Sequence, residues 1–117
     1  MNIQVNTDNH IAGSEELTRQ VEAVVEGDLS RFGDWITRVE VQLSDESSSS
    51  KTRDNDKRCV MEARLAGRQP ISVSHQGATL DQALKESARK LARLLNDTKD
   101  RLDNPKGNAS YAGEPTN

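Results

Sequence analysis

From Thr79 onward, Leu80, Ala83, Leu84, Ala88, Leu91, Leu94, Leu95 and Leu102 recur at intervals that keep them on one side of a long helix. A single apolar stripe has nothing to pack on, so the chain must supply a second apolar layer. Thr79 is placed to cap the first turn. The second layer lies upstream, where the apolar period is two rather than three to four. Ile3 and Val5 alternate with Asn2, Gln4 and Asn6, predicting a strand over about residues 2–7. Val39, Val41 and Leu43 alternate with Arg38, Glu40 and Gln42 after Ile36, predicting a second. Cys59, Met61, Ala63 and Leu65 form the inward side of a third, with Val60, Glu62, Arg64 and Ala66 outward. After a turn at 67–70, Ile71 and Val73 predict a short fourth strand.

Between the first two strands Ser14 precedes Glu15, Glu16 and Leu17, a helix start with acids suited to the dipole. Leu17, Val21, Val24 or Val25, and Leu29 then carry a helix over about residues 15–31, with Gly27 a weak point inside it. The order β-α-β-β-β-α predicts an α+β fold, an antiparallel-rich four-stranded sheet with two helices on one face. Residues 1–102 are expected to form one domain. Residues 44–57, SDESSSSKTRDNDK, hold no large apolar side chain and read as a flexible loop, and residues 103–117 as a disordered tail. Apolar residues at 32% and charged residues at 30% agree with part of the chain staying unburied.

Cys59 is the single cysteine, so no intrachain disulfide can form and a reducing compartment is expected. No basic start followed by an apolar run opens the chain, and no stretch of about 18 apolar residues occurs. A cytoplasmic protein without a membrane partner is expected.

Catalysis finds little footing. Cys59, His10 and His75 fall in separate elements with no motif around them, and the strand alternation buries Cys59 as a structural residue. Asp45, Glu46, Asp54 and Asp56 lack the spacing of a calcium loop and read as a solvated polar segment. Without a phosphate loop, a nucleophile elbow or a zinc-protease helix, no enzyme class, cofactor, metal or small-molecule substrate is expected. Phe32, Trp35 and Tyr111 are the only aromatics, too few for a base-stacking platform.

Charge is the remaining lead. The net charge is −3, yet residues 1–50 hold three basic against ten acidic side chains while residues 51–117 hold thirteen against nine. Lys85, Arg89 and Arg93 are spaced by four and stack on one solvent side of the last helix, with Lys90, Lys99 and Arg101 beside or beyond them. Acid-first pairs at i, i+4 (Asp81 to Lys85, Glu86 to Lys90, Asp97 to Arg101) allow the same charges to be a self-paired solvated face. Lys51, Arg53, Lys57, Arg58, Arg64 and Arg68 add cations, Arg64 on the outward side of its strand. Double-helical RNA is read by shape and backbone contacts, which such cations supply without aromatics.

Lys90-Leu91-Ala92-Arg93, then Leu95, then Lys99-Asp100-Arg101-Leu102, resembles the closing-helix pattern K-L-x-R-x-L and K-x-K-L of the ribosome hibernation-promoting factors and ribosome-associated inhibitors, also called sigma-54 modulation proteins. The opening NIQVNTDNHI and the segment VEVQLS before a variable loop are similar as well, and the resemblance spans about residues 1–102. It implies a fold like that of double-stranded-RNA-binding domains, which blocks the messenger and transfer RNA channel of the small ribosomal subunit in stationary phase or stress. By position it implies that Lys90, Arg93, Lys99 and Arg101 face ribosomal RNA phosphates, with Lys85 and Arg89 in support on this chain's own ridge, while Arg64, from the strand alternation, is expected to add an RNA contact from a second element. The sequence reaches residue 117 without the second domain through which longer members pair ribosomes, so pairing by that route is not expected, and a monomer is expected. The first helix departs from the usual basic pattern, reading VEAVVEGDLSR, Asp97 stands where a cation is usual, and Lys85 replaces an aspartate. An alternative follows from that departure: a regulatory protein-interaction module on the same fold, with the acidic first helix, Glu15, Glu22 and Glu26, docking a protein partner.

Overall fold

The open backbone N–H groups at the start of a helix need acceptors, and both helices carry one in the sequence itself. In the computed structural model, which describes residues 1–46 and 56–103, Ser14 sits in extended backbone and its Oγ accepts from the Leu17 N–H at 3.0 Å, opening α1 (Glu15–Leu29). Thr79 Oγ1 accepts from the Gln82 N–H at 3.0 Å, and Gln82 Oε1 reaches back to the Ala78 N–H at 3.0 Å, opening α2 (Leu80–Asp103). The strands are β1 (Asn2–Thr7), β2 (Ile36–Asp45), β3 (Lys57–Leu65) and β4 (Ile71–Gly77), in sheet order β1-β2-β3-β4.

β2 with β3 and β3 with β4 pair antiparallel, while β1 lies parallel to β2 with Ile3 opposite Val39 and Val5 opposite Val41. A parallel neighbour requires a crossover, and α1 provides it. The sheet is therefore mixed, with one parallel pair beside two antiparallel ones. The alternation predicted from sequence holds on β2 and β3: Val39, Val41, Leu43, Cys59, Met61 and Ala63 are fully buried against Val21, Val25 and Leu29 of α1 and Leu84, Ala88, Leu91 and Leu95 of α2. Burial of each such Leu or Val contributes about 1.5–3 kcal/mol. The other side of the sheet stays polar, with Glu40, Gln42, Glu62 and Arg64 in part or fully exposed.

Four boundaries differ from the sequence expectation. α1 ends at Leu29 and passes into a 3-10 turn at Ser30–Phe32, which tucks Phe32 into the core. β2 and β3 extend into the polar segment, pairing Ser44 with Arg58 and Asp45 with Lys57, and the Glu46 N–H donates to the Asp56 carbonyl at 2.7 Å. Backbone pairing does not need apolar side chains, so polarity alone misplaces those ends. The rest of that segment, 47–55, and the tail, 104–117, lie outside the described residues. β4 runs on to Gly77, and the β3–β4 turn relies on Gly67 at φ +70°.

Leu94 and Leu102 are a correction: they belong to the helical stripe yet are 42% and 38% exposed. Ser87, two turns before Leu94 on the same flank, is fully buried and donates its Oγ to the Cys59 carbonyl at 3.3 Å. Leu95 is the last buried residue of α2, so its final turns run past the edge of the sheet that would have covered them.

Candidate nucleic-acid interface

The packing that buries Leu84, Ala88, Leu91 and Leu95 turns the opposite side of α2 to solvent, and with it five of the seven expected RNA-facing cations. Lys85, Arg89, Arg93, Lys99 and Arg101 are exposed and Lys90 half-buried, all on the one rigid helix. Their partners differ. Lys85 Nζ lies 3.1 Å from Asp81, whose other oxygen accepts from Gln20 of α1 at 2.8 Å. Lys85 foremost, with Gln20, holds the Asp81 carboxyl below its ordinary value against slight burial.

The i, i+4 spacing allows Glu86 to take Lys90, but Glu86 instead takes Arg89, three residues on. Lys90 Nζ is drawn the other way, to the Ser74 carbonyl of β4 at 2.9 Å. It thereby covers an open acceptor on an edge strand. Arg101 donates to Thr98 at 3.4 Å rather than to Asp97, and Lys99 lies 3.6 Å from Asp103. Arg93 makes no ion pair or hydrogen bond among the described residues.

Arg64 does not join this group. It stands on the uncovered side of the sheet, with Nε 3.3 Å from Glu40 and Nη2 3.5 Å from Glu62, in a network that Arg38 enters at 2.6 Å from Glu40. A single flat surface cannot meet Arg64 and the outer side of α2 together, because the sheet and the helix layer stand between them. Of the other cations from the same stretch, Lys57 is held by Asp56 at 2.8 Å and Asp45 at 3.5 Å, and Arg58 lies 3.8 Å from Glu46. Lys51 and Arg53 lie outside the described residues.

Arg31, which carries no signal in the sequence, is brought to the ridge by the fold. With Arg89 and Arg93 it rims a groove of about 340 Å³ between the end of α1 and the middle of α2. Its guanidinium lies 4.8 Å from the centre of the Phe32 ring. The acids of α1 form the contrast: Glu15, Glu16, Glu22 and Glu26 make no ion pair among the described residues.

The candidate nucleophile is set against reaction. β3–β4 pairing brings His75 opposite Cys59, although the sequence holds them on separate elements. Burial pushes the Cys59 thiol up to about 11, with only a small opposing effect from Ser87, so a thiolate is disfavoured where a nucleophile would need one. No group of three or more His, Cys, Asp or Glu side chains among the described residues is arranged to hold a metal ion. No helix among them is long and apolar enough to cross a membrane.

Against families of known proteins, residues 3–103 match the model described as sigma 54 modulation protein / S30EA ribosomal protein. Among solved structures, the chain resembles the Protein Y N-terminal domain of Thermus thermophilus, at 20% identity and a TM-score of 0.67 over 84% of this chain and 99% of that one. A ribosomal subunit interface protein from Coxiella burnetii is similar at 16% identity and a TM-score of 0.66, covering 86% of this chain and 99% of that one. At these identities the likeness carries the fold. No curated protein matches the sequence.

Proposed function

Because the chain belongs to the sigma 54 modulation protein / S30EA ribosomal protein family, a family of ribosome-associated proteins, we propose that it binds the small ribosomal subunit and idles it by occupying the messenger and transfer RNA channel. The observation that carries this reading is the row of cations along the outer side of α2, held rigid by the buried opposite side. Lys85, Arg89, Lys90, Arg93, Lys99 and Arg101 dock against ribosomal RNA phosphates, and the domain of residues 1–102 acts as a single copy in the cytoplasm, under stress or in stationary phase, without catalysis or cofactor. That Lys85, Arg89 and Lys99 have carboxylate partners does not disable them. Exposed ion pairs are worth about 0–1 kcal/mol, so a phosphate backbone can exchange for them. Arg64 is assigned a supporting contact on the other side of the sheet, made only where RNA or protein wraps past β3.

Co-sedimentation of the purified protein with small subunits and whole ribosomes, at low and high salt, tests this. Wild type is expected to pellet with small subunits at low salt, and a variant carrying Lys90→Glu and Arg93→Glu to stay in the supernatant. No pelleting at low salt overturns the reading. One observation favours a second reading: Glu15, Glu16, Glu22 and Glu26 of α1 make no ion pair among the described residues, which suits a basic protein segment. Reversing Glu15, Glu22 and Glu26 to Lys then abolishes partner binding while ribosome binding is kept.

A further inference from the structure

Gly27 lies inside α1, where glycine costs about 1 kcal/mol relative to alanine. The fold does not require it: a Cβ added there meets nothing within 4 Å. What it does is line one wall of the groove at the end of α1 with bare backbone, beside Ser30 and across from Arg89 and Arg93. Small Ala92 keeps the floor open. Arg31 and Arg93 reach the groove with no carboxylate partner among the described residues, and the Phe32 ring beneath Arg31 limits where its guanidinium can go.

The charge of the groove selects among anions. Arg31, Arg89 and Arg93 face the Asp28 carboxylate in the same lining and Glu86, the partner of Arg89, which leaves one net positive charge. The negative end of the α1 dipole also falls here, so a dianion or a polyphosphate is poorly matched. A phosphodiester carries a single negative charge and two free oxygens suited to guanidinium forks. We propose that this groove seats one phosphodiester of an RNA backbone, gripped by Arg31 and Arg93, with Gly27 and Ala92 allowing the sugar-phosphate chain close approach. The inference rests on the RNA-docking reading above and gives it a fixed point: Arg31, in the 3-10 turn that follows α1, becomes a contact.

The test is a nitrogen-15 NMR titration of the full chain with a short RNA duplex, and separately with inorganic phosphate, on wild type, Arg31→Gln, Gly27→Leu and Arg19→Gln. Gly27→Leu has room for its side chain and a better helix former, so it is expected to fold as wild type, checked by its thermal midpoint. With duplex, the signals of Gly27, Ser30 and Arg31 are expected to shift together. Arg31→Gln and Gly27→Leu should bind about tenfold more weakly, as loss of a charge-assisted contact implies, and Arg19→Gln, an exposed cation of α1 outside the groove, should stay within about twofold, as for a charge screened by salt. Duplex binding unchanged in Arg31→Gln and Gly27→Leu overturns the proposal. Inorganic phosphate saturating the groove as tightly as duplex overturns its assignment to a diester. Co-sedimentation separates the two readings: small subunits that retain both variants as they retain wild type remove the groove and keep the ribosome, while duplex in the groove with no pelleting removes the ribosome and keeps the groove.

Discussion

Asp8 shows how one side chain ties the end of β1 to the sheet. Its two oxygens accept from the backbone N–H groups of His10 and Asp45, each at 3.0 Å. Burial pushes the carboxyl up, but the Asp45 and His10 hydrogen bonds outweigh it, and the group sits below its ordinary value. A carboxyl depressed in the folded state contributes stability above its unfolded pKa and loses it as pH falls through the folded one. Stability is therefore expected to fall on acidification from about pH 5 to pH 3. Asp8→Asn should lower the urea midpoint at neutral pH and flatten that dependence. An Asp8→Asn protein with the same midpoint and the same acid slope as wild type would show that the bonds contribute nothing. At this scale the caps were legible, since Ser14 and Thr79 act on backbone three residues away. The partners of Lys90 and Arg101 were not, because helical spacing permits several acceptors and the nearest strand or hydroxyl decides among them.

α2 is long because it serves two surroundings in succession. Through Leu95 it is anchored on β3 and β4, and beyond that point its stripe faces solvent. Neighbouring leucines should therefore respond very differently. Leu95→Ala is expected to cost about 2–5 kcal/mol, the usual range for a fully buried leucine, and Leu94→Ala within about 1 kcal/mol, as at a largely exposed position. Urea unfolding of the two variants checks this, and equal losses would mean that Leu94 is covered in solution. Periodicity alone cannot separate them, since it marks which side of a helix is apolar and not where the covering layer ends.

For the whole molecule, the charge layout implies a steep response to salt. If all six α2 cations engage phosphates, affinity for the small subunit should fall about a thousandfold between 50 and 200 mM salt. If the groove and its immediate neighbours carry most of the contact, the slope should be about half as steep. Binding measured across that range distinguishes the two, and a flat response would point to a protein partner instead. The acidic outer side of α1 adds an orienting effect, because it repels the same phosphates that α2 attracts. The molecule is thus expected to present α2 and the rim of the groove to RNA, with α1 turned aside.

By itself the sequence determined the elements, their caps, the buried side of each strand and the family resemblance, because all of these depend on neighbours a few residues apart and on which side chains leave water. Tertiary structure alone decided which elements meet. It laid β1 parallel to β2, set His75 opposite Cys59, put Arg64 on the far side of the sheet from α2, and carried Arg31 from the end of α1 to Arg89 and Arg93. A one-dimensional pattern says that a surface must be covered, and packing between segments distant in the chain says by what.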